Sequence, residues 1–416
     1  MTQIPAFSFG HVPSIVFGAG TRAQLPTLAA RYGNTVLLVT GKQALQRTPA
    51  WPELLTGLQA AGLQWRHVTI DGEPSPSRMD ALSSQHREAG IDVVLAIGGG
   101  SVLDAGKALA GLLRVPNSVM DFLEGVGPEL PYPGPAVPLI AVPTTAGTGS
   151  EATKNAVLSQ QGEGGFKKSF RHDTLVPAYA VVDPDLLASC PQALIAANGM
   201  DALTQLLESY VSTRANPITD ALAMSGLRAV RDSLIGWYQG ASNQGASDPD
   251  AGDQAQHRAN MAYAAMLSGI TLAQVGLGSV HGLAAPLGAF FPMPHGVVCG
   301  TLVAACTRAN IRLLQAQQGA HAAEAATPSH SALWRYAHAG KVLVNDMRLT
   351  EQQGLEALCA TLEAWTTAMQ LPGLSAFGMS AADIPRVVAN CRGSSMKTNP
   401  IVLGDDEVAA ILHERL

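Results

Sequence analysis

The chain has 416 residues, with 26 Lys and Arg against 32 Asp and Glu, and a formal net charge of −6. Only 14% of its residues are charged and 47% are hydrophobic, which excludes an intrinsically disordered chain because disorder needs high charge and few apolar groups. The mild acidity and the lack of a basic stripe predict no nucleic-acid partner. The length allows two or three domains with large cores.

The N-terminal residues and the cysteines indicate a compartment. The first residues, MTQIP, lack the basic and apolar regions of a signal peptide. The five cysteines are irregularly spaced without a CxxC pair, so they predict neither a disulfide framework nor a thiolate zinc site. We therefore expect a cytoplasmic protein.

Residues 1–185 alternate short β-branched runs with amphipathic helical patterns. The predicted strands are Thr35–Thr40, Arg66–Ile70, Asp92–Ile97, Val137–Val142 and Ala180–Asp183, and the predicted helices include Pro52–Ala61 and Arg78–Ala89. Short apolar runs that end at Gly, Pro or Asp are typical of strands buried on both faces. The alternation favours a mostly parallel α/β sheet.

After Asp183 the sequence changes to long Ala- and Leu-rich stretches without a convincing strand. The predicted helices are Ala193–Thr213, Pro217–Gln239, Gln256–Val275, Gly300–Leu314 and Gly354–Met369, and the polar segment Gly240–Gln254 is predicted as an exposed loop. The chain is therefore predicted to divide into an α/β domain of residues 1–190 and an all-helical domain of residues 191–416.

A long part of the helical half carries no charge. No Asp, Glu, Lys or Arg occurs between Arg258 and Arg308, although about 20 apolar residues suffice for a membrane span. The run contains His281, His295 and several prolines and glycines, and it lacks flanking basic clusters and an aromatic belt. We predict a deeply buried core segment and no membrane span.

Two segments after predicted strands indicate phosphate binding. The strand Asp92–Ile97 runs directly into the GGGS turn of residues 98–101, where backbone N–H groups and a helix N-terminus can approach an anion. The turn is not a GxGxxG fingerprint, because Leu103 stands where the last Gly would fall, and a plain tight turn stays open. The hydroxyl-rich segment PTTAGTGSE follows the strand Val137–Val142, at the sheet edge where open α/β sheets bind ligands. Together they predict nucleotide binding.

A second set of residues could hold a metal. Asp201 and Gln205 are four residues apart and share a helix face, and His281 and His295 both lie in the charge-free run. One carboxylate and two imidazoles are a plausible divalent-metal set with a position left for substrate. Taken singly, each of these side chains is more often a core, loop or capping residue.

These motifs make the chain resemble the iron-containing (group III) alcohol dehydrogenases nearly from end to end. The matching segments are VPSIVFGAG (12–20), AIGGGSVLDAGKALA (96–110), PTTAGTGSEAT (143–153), NGMDALTQLLESYVS (198–212), HGLAAPLG (281–288) and PHG (294–296). The resemblance implies a Rossmann-like nucleotide-binding α/β domain plus an all-helical metal-binding domain, the dehydroquinate synthase-like fold. It also implies an NAD(P)-dependent oxidoreductase that interconverts a small alcohol and its aldehyde or ketone, and a homodimer or larger homo-oligomer.

The resemblance assigns site residues by position. The NAD or NADP site falls to Gly98, Gly99, Gly100, Ser101, Asp104, Thr144, Thr145, Thr148 and Ser150. A catalytic divalent metal, Fe²⁺ or Zn²⁺, falls to Asp201, His281 and His295. The family's fourth ligand is a His, but this chain has Gln205 there. A three-ligand site, a site with the Gln205 oxygen as fourth ligand and a vacant site therefore all stay open.

Two further departures concern specificity. Ala285 stands where many members carry another His near the substrate, so we expect an altered substrate preference and a proton relay through water or a cofactor hydroxyl. Gly41 and Lys42 stand where NAD-preferring members often carry Asp. Because a carboxylate there would repel a 2′-phosphate, Gly41 and Lys42 predict that NADPH is accepted.

Three other functions stay open. One is a metal-independent reductase of an oxo-acid, as in the maleylacetate reductases. Another is a lyase resembling dehydroquinate synthase, and the last is a non-catalytic dinucleotide-binding relative.

Overall fold

The computed structural model describes residue 4 and residues 6–162, 164–241, 251–320 and 331–416. The elements of the first half are β1 (Ser14–Phe17), α1 (Leu25–Ala29), β2 (Thr35–Gly41), α2 (Ala50–Ala60), β3 (Gln64–Ile70), α3 (Pro76–His86), β4 (Val93–Gly98), α4 (Gly100–Leu112), β5 (Leu139–Pro143), β6 (Asn155–Gln160), β7 (Phe166–Arg171) and β8 (Tyr179–Val182).

Six of these strands form one parallel sheet in the order β1-β8-β5-β4-β2-β3. Because side chains alternate along a strand, Leu37 and Val39 of β2 pack towards α3 and α4, while Val36 and Leu38 pack towards α1 and α2. All four side chains are fully buried. The sheet is therefore covered on both faces, as the uninterrupted apolar runs predict.

The five predicted strands are confirmed, with small shifts at their ends, as β2, β3, β4, β5 and β8. The edge strand β1 and the antiparallel pair of β6 and β7 were not among the predictions. The pair brings the side chain of Lys167 of β7 beside Gly288 of the helical half. This hairpin therefore belongs to the wall of the cleft described below.

The second half is helical, and within the described residues no strand follows β8. Its helices are α5 (Gln192–Val211), α6 (Pro217–Gly240), α7 (Ala251–Val275), α8 (Ser279–Phe290), α9 (His295–Ala320), α10 (Ala332–Leu343), α11 (Glu351–Ala368), α12 (Ile384–Asn390) and α13 (Asp405–Glu414). The change from strands to helices falls between β8 and α5. The division of the chain into domains 1–190 and 191–416 stays a prediction.

The helix boundaries follow local chemistry in some places and correct the prediction in others. A capping box of Asn216 and Thr219, with Pro217 in the first turn, begins α6. The predicted loop Gly240–Gln254 was wrong at both ends, because Gly240 closes α6 and α7 already begins at Ala251. Residues 242–250 of that loop lie outside the described residues.

The charge-free run forms the inner helices. It includes most of α7, all of α8 and the first turns of α9, where Leu283, Leu287 and Leu302 are fully buried. In the described part of the chain, one helix, His295–Gln318, has the length and hydropathy of a membrane span, but 72% of its apolar window is buried inside the protein. That burial is typical of a core helix.

Candidate active site

The glycine-rich turn lies against the hydroxyl-rich loop. The backbone N–H of Thr144 donates to the Gly98 carbonyl over 3.0 Å, so the ends of β4 and β5 are joined where both motifs begin. A Cβ at Gly100 would lie only 2.7 Å from Thr148 Cγ2. The absence of a side chain at Gly100 therefore lets the two loops meet at the N-terminus of α4.

A buried ammonium holds the two loops together. Lys107 of α4 is fully buried, and its Nζ donates to Ser150 Oγ at 2.6 Å, Thr153 Oγ1 at 2.8 Å and the Asn155 carbonyl at 2.7 Å. Ser150 Oγ in turn donates to Asp104 Oδ1 at 2.6 Å. Burial lowers the pKa of Lys107 and raises that of Asp104, while their mutual attraction opposes both shifts. The hydroxyls of the second loop are thus oriented by a satisfied polar network.

Both loops line one cleft between the sheet and the helices, with a volume of about 1010 Å³. The predicted cofactor residues in its lining are Gly99, Gly100, Ser101, Asp104, Thr144, Thr145, Thr148 and Ser150. Gly41, Lys42 and Gly98 are not part of that lining. Lys42 instead lies exposed after β2, with its Nζ 2.6 Å from Asp71 Oδ2, and its proposed role in cofactor choice stays a prediction.

The carboxylate and imidazoles converge at the helical wall of the same cleft. Asp201 of α5, His281 of α8 and His295 of α9 all contribute to the lining. Asp201 Oδ1 lies 3.3 Å from His281 Nε2 and 3.8 Å from His295 Nε2. Within the described residues, Asp201 Oδ2 and His295 Nδ1 are buried without a hydrogen-bond partner. A buried carboxylate oxygen without a donor fits a cation site.

Glu208 was not recognised from the sequence, although it orients one of these imidazoles. Its Oε2 lies 2.7 Å from His281 Nδ1 and accepts the Gly278 N–H at 2.9 Å, while Oε1 accepts the Val280 N–H at 2.7 Å. A carboxylate on Nδ1 fixes the orientation of the ring, so that Nε2 faces the site. The sequence contains an indication of this role, because Glu208 lies two helical turns after Asp201 on the same helix face.

Cys299 was also missed. Its Sγ lies 3.6 Å from His281 Nε2 and 3.7 Å from His295 Nε2, and the side chain is fully buried. Cys299 is four residues after His295 in α9, a spacing that places both on one helix face. Cys299 is not part of a CxxC pair, so the cysteine spacing does not indicate its role. Asp201, His281, His295 and Cys299 each offer a ligand atom within 4.8 Å of the others.

Gln205 lies near this cluster, but its amide oxygen is already engaged. Gln205 is buried and contributes to the cleft, and its Oε1 accepts the Ser268 hydroxyl at 2.6 Å. The structure thus brings three of the four predicted metal residues into one cluster. It joins the fourth to α7 through Ser268.

The protonation states of Asp201 and His295 suit a cation, whereas His281 has to lose a proton before it can bind a metal. Desolvation lowers the pKa of His295 to about 4, which leaves its ring neutral at pH 7, as metal coordination requires. Burial would raise the pKa of Asp201, but the charges and hydrogen bonds of His295 and His281 outweigh it and lower the pKa. Burial would likewise lower the pKa of His281, but Cys299, Asp201 and Glu208 together raise it well above its usual value. Asp201 therefore stays anionic at neutral pH.

A glycine-rich turn at a parallel sheet, a hydroxyl-rich second loop and an Asp–His–His cluster in one cleft are together typical of a nicotinamide-dependent oxidoreductase with a metal site. Known proteins agree with this class. Residues 13–184 match the family model described as iron-containing alcohol dehydrogenase, and residues 195–416 match that family's C-terminal model. The chain belongs to the iron-containing alcohol dehydrogenase family.

Individual relatives extend the comparison. Lactaldehyde reductase of Escherichia coli is 33% identical over 302 residues, which cover 71% of this chain and 73% of that protein. Alcohol dehydrogenase 4 of Saccharomyces cerevisiae is 38% identical over 232 residues, so the alignment spans only 56% of each protein. The solved structure of 1,3-propanediol oxidoreductase superposes with a TM-score of 0.85 and 26% identity, covering 99% of this chain and 100% of that one. The chain is therefore an enzyme of a family of oxidoreductases, and family membership implies a metal and an NAD-type cofactor.

Proposed function

We propose that this protein interconverts a small alcohol and its aldehyde or ketone by hydride transfer with NAD or NADP. The observation that carries the proposal is the shared cleft, in which two dinucleotide-type loops and the Asp201, His281 and His295 cluster line the same space. A nicotinamide and a substrate oxygen bound there would lie side by side. The names of the relatives described above, dehydrogenases and reductases of small alcohols and aldehydes, support the same reaction.

Asp201, His281 and His295 would hold a divalent metal, Fe²⁺ or Zn²⁺. Such an ion supplies Lewis-acid stabilisation of negative charge on the substrate oxygen. The chain's own residues prepare the site, since Glu208 holds the His281 ring and burial keeps His295 neutral. The fit rests on Asp201 Oδ2, a buried oxygen for which the described residues provide no donor.

Part of the cleft is lined by apolar residues of α8. Ala285, Pro286, Ala289 and Phe290 contribute there, and Ala285 carries no group that could move a proton. We therefore propose that the proton passes through water or a cofactor hydroxyl. The space at Ala285 favours substrates with a group larger than hydrogen next to the carbonyl.

We also propose that the protein accepts NADPH as well as NADH. Gly41 and Lys42 place no carboxylate directly after β2, and Lys42 forms only an exposed ion pair with Asp71. Exposed ion pairs are worth about 0–1 kcal/mol, so Lys42 can exchange Asp71 for a phosphate at little cost.

Two further proposals concern the cellular location and the oligomeric state of the protein. A cytoplasmic location is supported by the five cysteines, which are all free thiols. Assembly into a homodimer or larger homo-oligomer is proposed by analogy with the family alone.

A panel of aldehydes and ketones, assayed with NADH and with NADPH, tests the reaction. We expect carbonyl-dependent oxidation of the reduced cofactor, with loss of activity after chelation and in His281→Ala. Activity that survives chelation would instead favour metal-independent oxo-acid reduction. Product formation without net NAD(P)H consumption would favour lyase chemistry, and cofactor binding without turnover would favour a non-catalytic role.

A further inference from the structure

The cluster at the helical wall contains a sulfur atom that the proposed function does not use. Cys299 Sγ approaches the two imidazoles through Nε2, the same atoms that face Asp201. The residue is fully buried. Its Sγ lies within 4.8 Å of the ligand atoms of Asp201, His281 and His295, so it offers a fourth donor beside the carboxylate and the two rings.

The spacing of these atoms matches a common coordination shell. Bond lengths of about 2.0–2.1 Å to N or O and about 2.3 Å to S place tetrahedral donors roughly 3.3–3.6 Å apart. The Sγ distances to His281 Nε2 and His295 Nε2 are 3.6 and 3.7 Å. Asp201 Oδ1 lies 3.3 and 3.8 Å from the same two atoms. Four of the six distances among these donors are therefore close to the spacing that one small ion requires, and all four donor atoms lie within 4.8 Å of one another.

Two further observations point to a cation among these donors. Asp201 Oδ2 is buried and has no donor within the described part of the chain. Gln205, which stands where the family has its fourth ligand, gives its amide oxygen to Ser268 at 2.6 Å. The carboxylate thus faces a cluster in which the expected imidazole is missing and a thiol is present.

We propose that the Cys299 thiolate is a ligand of the metal in this chain and takes the place of the imidazole absent at Gln205. On binding, the S–H bond breaks, the S–metal bond forms and the proton passes to solvent. A thiolate is a softer donor than an imidazole, so the Asp–His–His–Cys set favours Zn²⁺ over Fe²⁺. This inference rests on the metal site of the proposed function and identifies its fourth donor.

Cobalt substitution tests the ligand directly, because a Co²⁺–thiolate bond gives a near-ultraviolet charge-transfer band that N and O ligands do not. Metal-free protein is titrated with Co²⁺, and the bound metal is counted by elemental analysis. Wild type is expected to bind one Co²⁺ per chain with the band, and Cys299→Ser is expected to lose the band. Cys306→Ser is the matched control, since Cys306 is equally buried two turns further along α9, and it should keep the band.

A second variant distinguishes loss of the thiolate ligand from misfolding of the Cys299→Ser protein. Gln205→His combined with Cys299→Ser restores an imidazole, so Co²⁺ binding should return to within about tenfold of wild type without the band. Wild type is also expected to take up Zn²⁺ at least tenfold in preference to Fe²⁺ under anaerobic competition. That preference should become smaller in the Gln205→His, Cys299→Ser protein, because a site of N and O ligands still favours Zn²⁺ but lacks the soft donor.

The outcomes separate this inference from the proposed function. A band that persists in Cys299→Ser, or wild-type protein that binds Co²⁺ without the band, would overturn the thiolate ligand even where carbonyl reduction is measured. Wild-type protein that binds no Co²⁺ would overturn it as well. A band present in wild type and absent in Cys299→Ser, with no turnover of any carbonyl compound, would uphold the ligand and count against the proposed reaction alone.

Discussion

Glu208→Gln should weaken metal binding although Glu208 lies outside the ligand set. Glu208 accepts from three partners, the N–H groups of Gly278 and Val280 and the Nδ1 of His281. An amide replaces one accepting oxygen by an NH₂ group. In its best orientation the amide oxygen keeps Gly278 and His281, and the NH₂ group then faces the Val280 N–H.

The size of the expected loss in stability and metal affinity follows from the hydrogen bonds that Glu208→Gln removes. One buried donor left without an acceptor costs about 1–3 kcal/mol, and loss of the carboxylate on the imidazole lowers metal affinity typically about 10–100-fold. Glu208→Gln should therefore bind Zn²⁺ about 10–100-fold more weakly and melt earlier than wild type as metal-free protein.

The assay is competition for Zn²⁺ against a chromophoric chelator, together with calorimetry of the metal-free protein. The control is Glu363→Gln, because the Glu363 side chain is 62% exposed and its ion pair among the described residues is with Arg308, at 3.4 Å. It should match wild type in both measurements. Unchanged Zn²⁺ affinity in Glu208→Gln would refute the orienting role of Glu208.

Three other predictions test the cleft and its surroundings. Gly100→Ala places a Cβ 2.7 Å from Thr148 Cγ2, an overpacking that costs about 1–3 kcal/mol, so the cofactor KM should rise about tenfold in steady-state assays, and an unchanged KM would contradict it. Lys42→Ala should lower kcat/KM for NADPH up to about fivefold, the factor that corresponds to one exposed ion pair, and leave kcat/KM for NADH unchanged. A change in kcat/KM of the same size with both cofactors would contradict this prediction. Burial raises the pKa of Glu151 from its ordinary 4.5 to about 7, so the folded state binds more protons than the unfolded state in that range and stability should fall as the pH rises through it. Thermal denaturation should show this slope in wild type and a shallower slope in Glu151→Gln.

Local pattern predicted much of the fold. The strands β2, β4 and β5 are apolar on both faces, and their runs end at glycine or proline, so the parallel sheet could be recognised without tertiary information. Helix α8 was missed because Pro286 and its glycines mark a turn when read locally, although the surrounding helices bury them. The β6–β7 hairpin was missed because its strands carry polar side chains that contact the cleft wall.

The site residues also differ in whether the sequence alone could predict them. Asp201, His281 and His295 were chosen because of residue type and family position, and the structure brings them together. Glu208 and Cys299 share helix faces with Asp201 and His295, but that spacing alone does not show their roles, which arise only where α5, α8 and α9 pack together. The pairing of Lys42 with Asp71 joins the ends of two neighbouring strands, so only the sheet order could reveal it.

The buried ammonium of Lys107 has a consequence for how a dinucleotide would enter. Since Ser150, Thr153 and the Asn155 carbonyl already hold it, this side of the cleft has its shape before any ligand arrives. Association then costs little ordering entropy here, and the free and bound forms should superpose closely along α4 and the hydroxyl-rich loop. We therefore expect any difference between the free and bound forms at the opposite wall, where helices of the second half line the cleft.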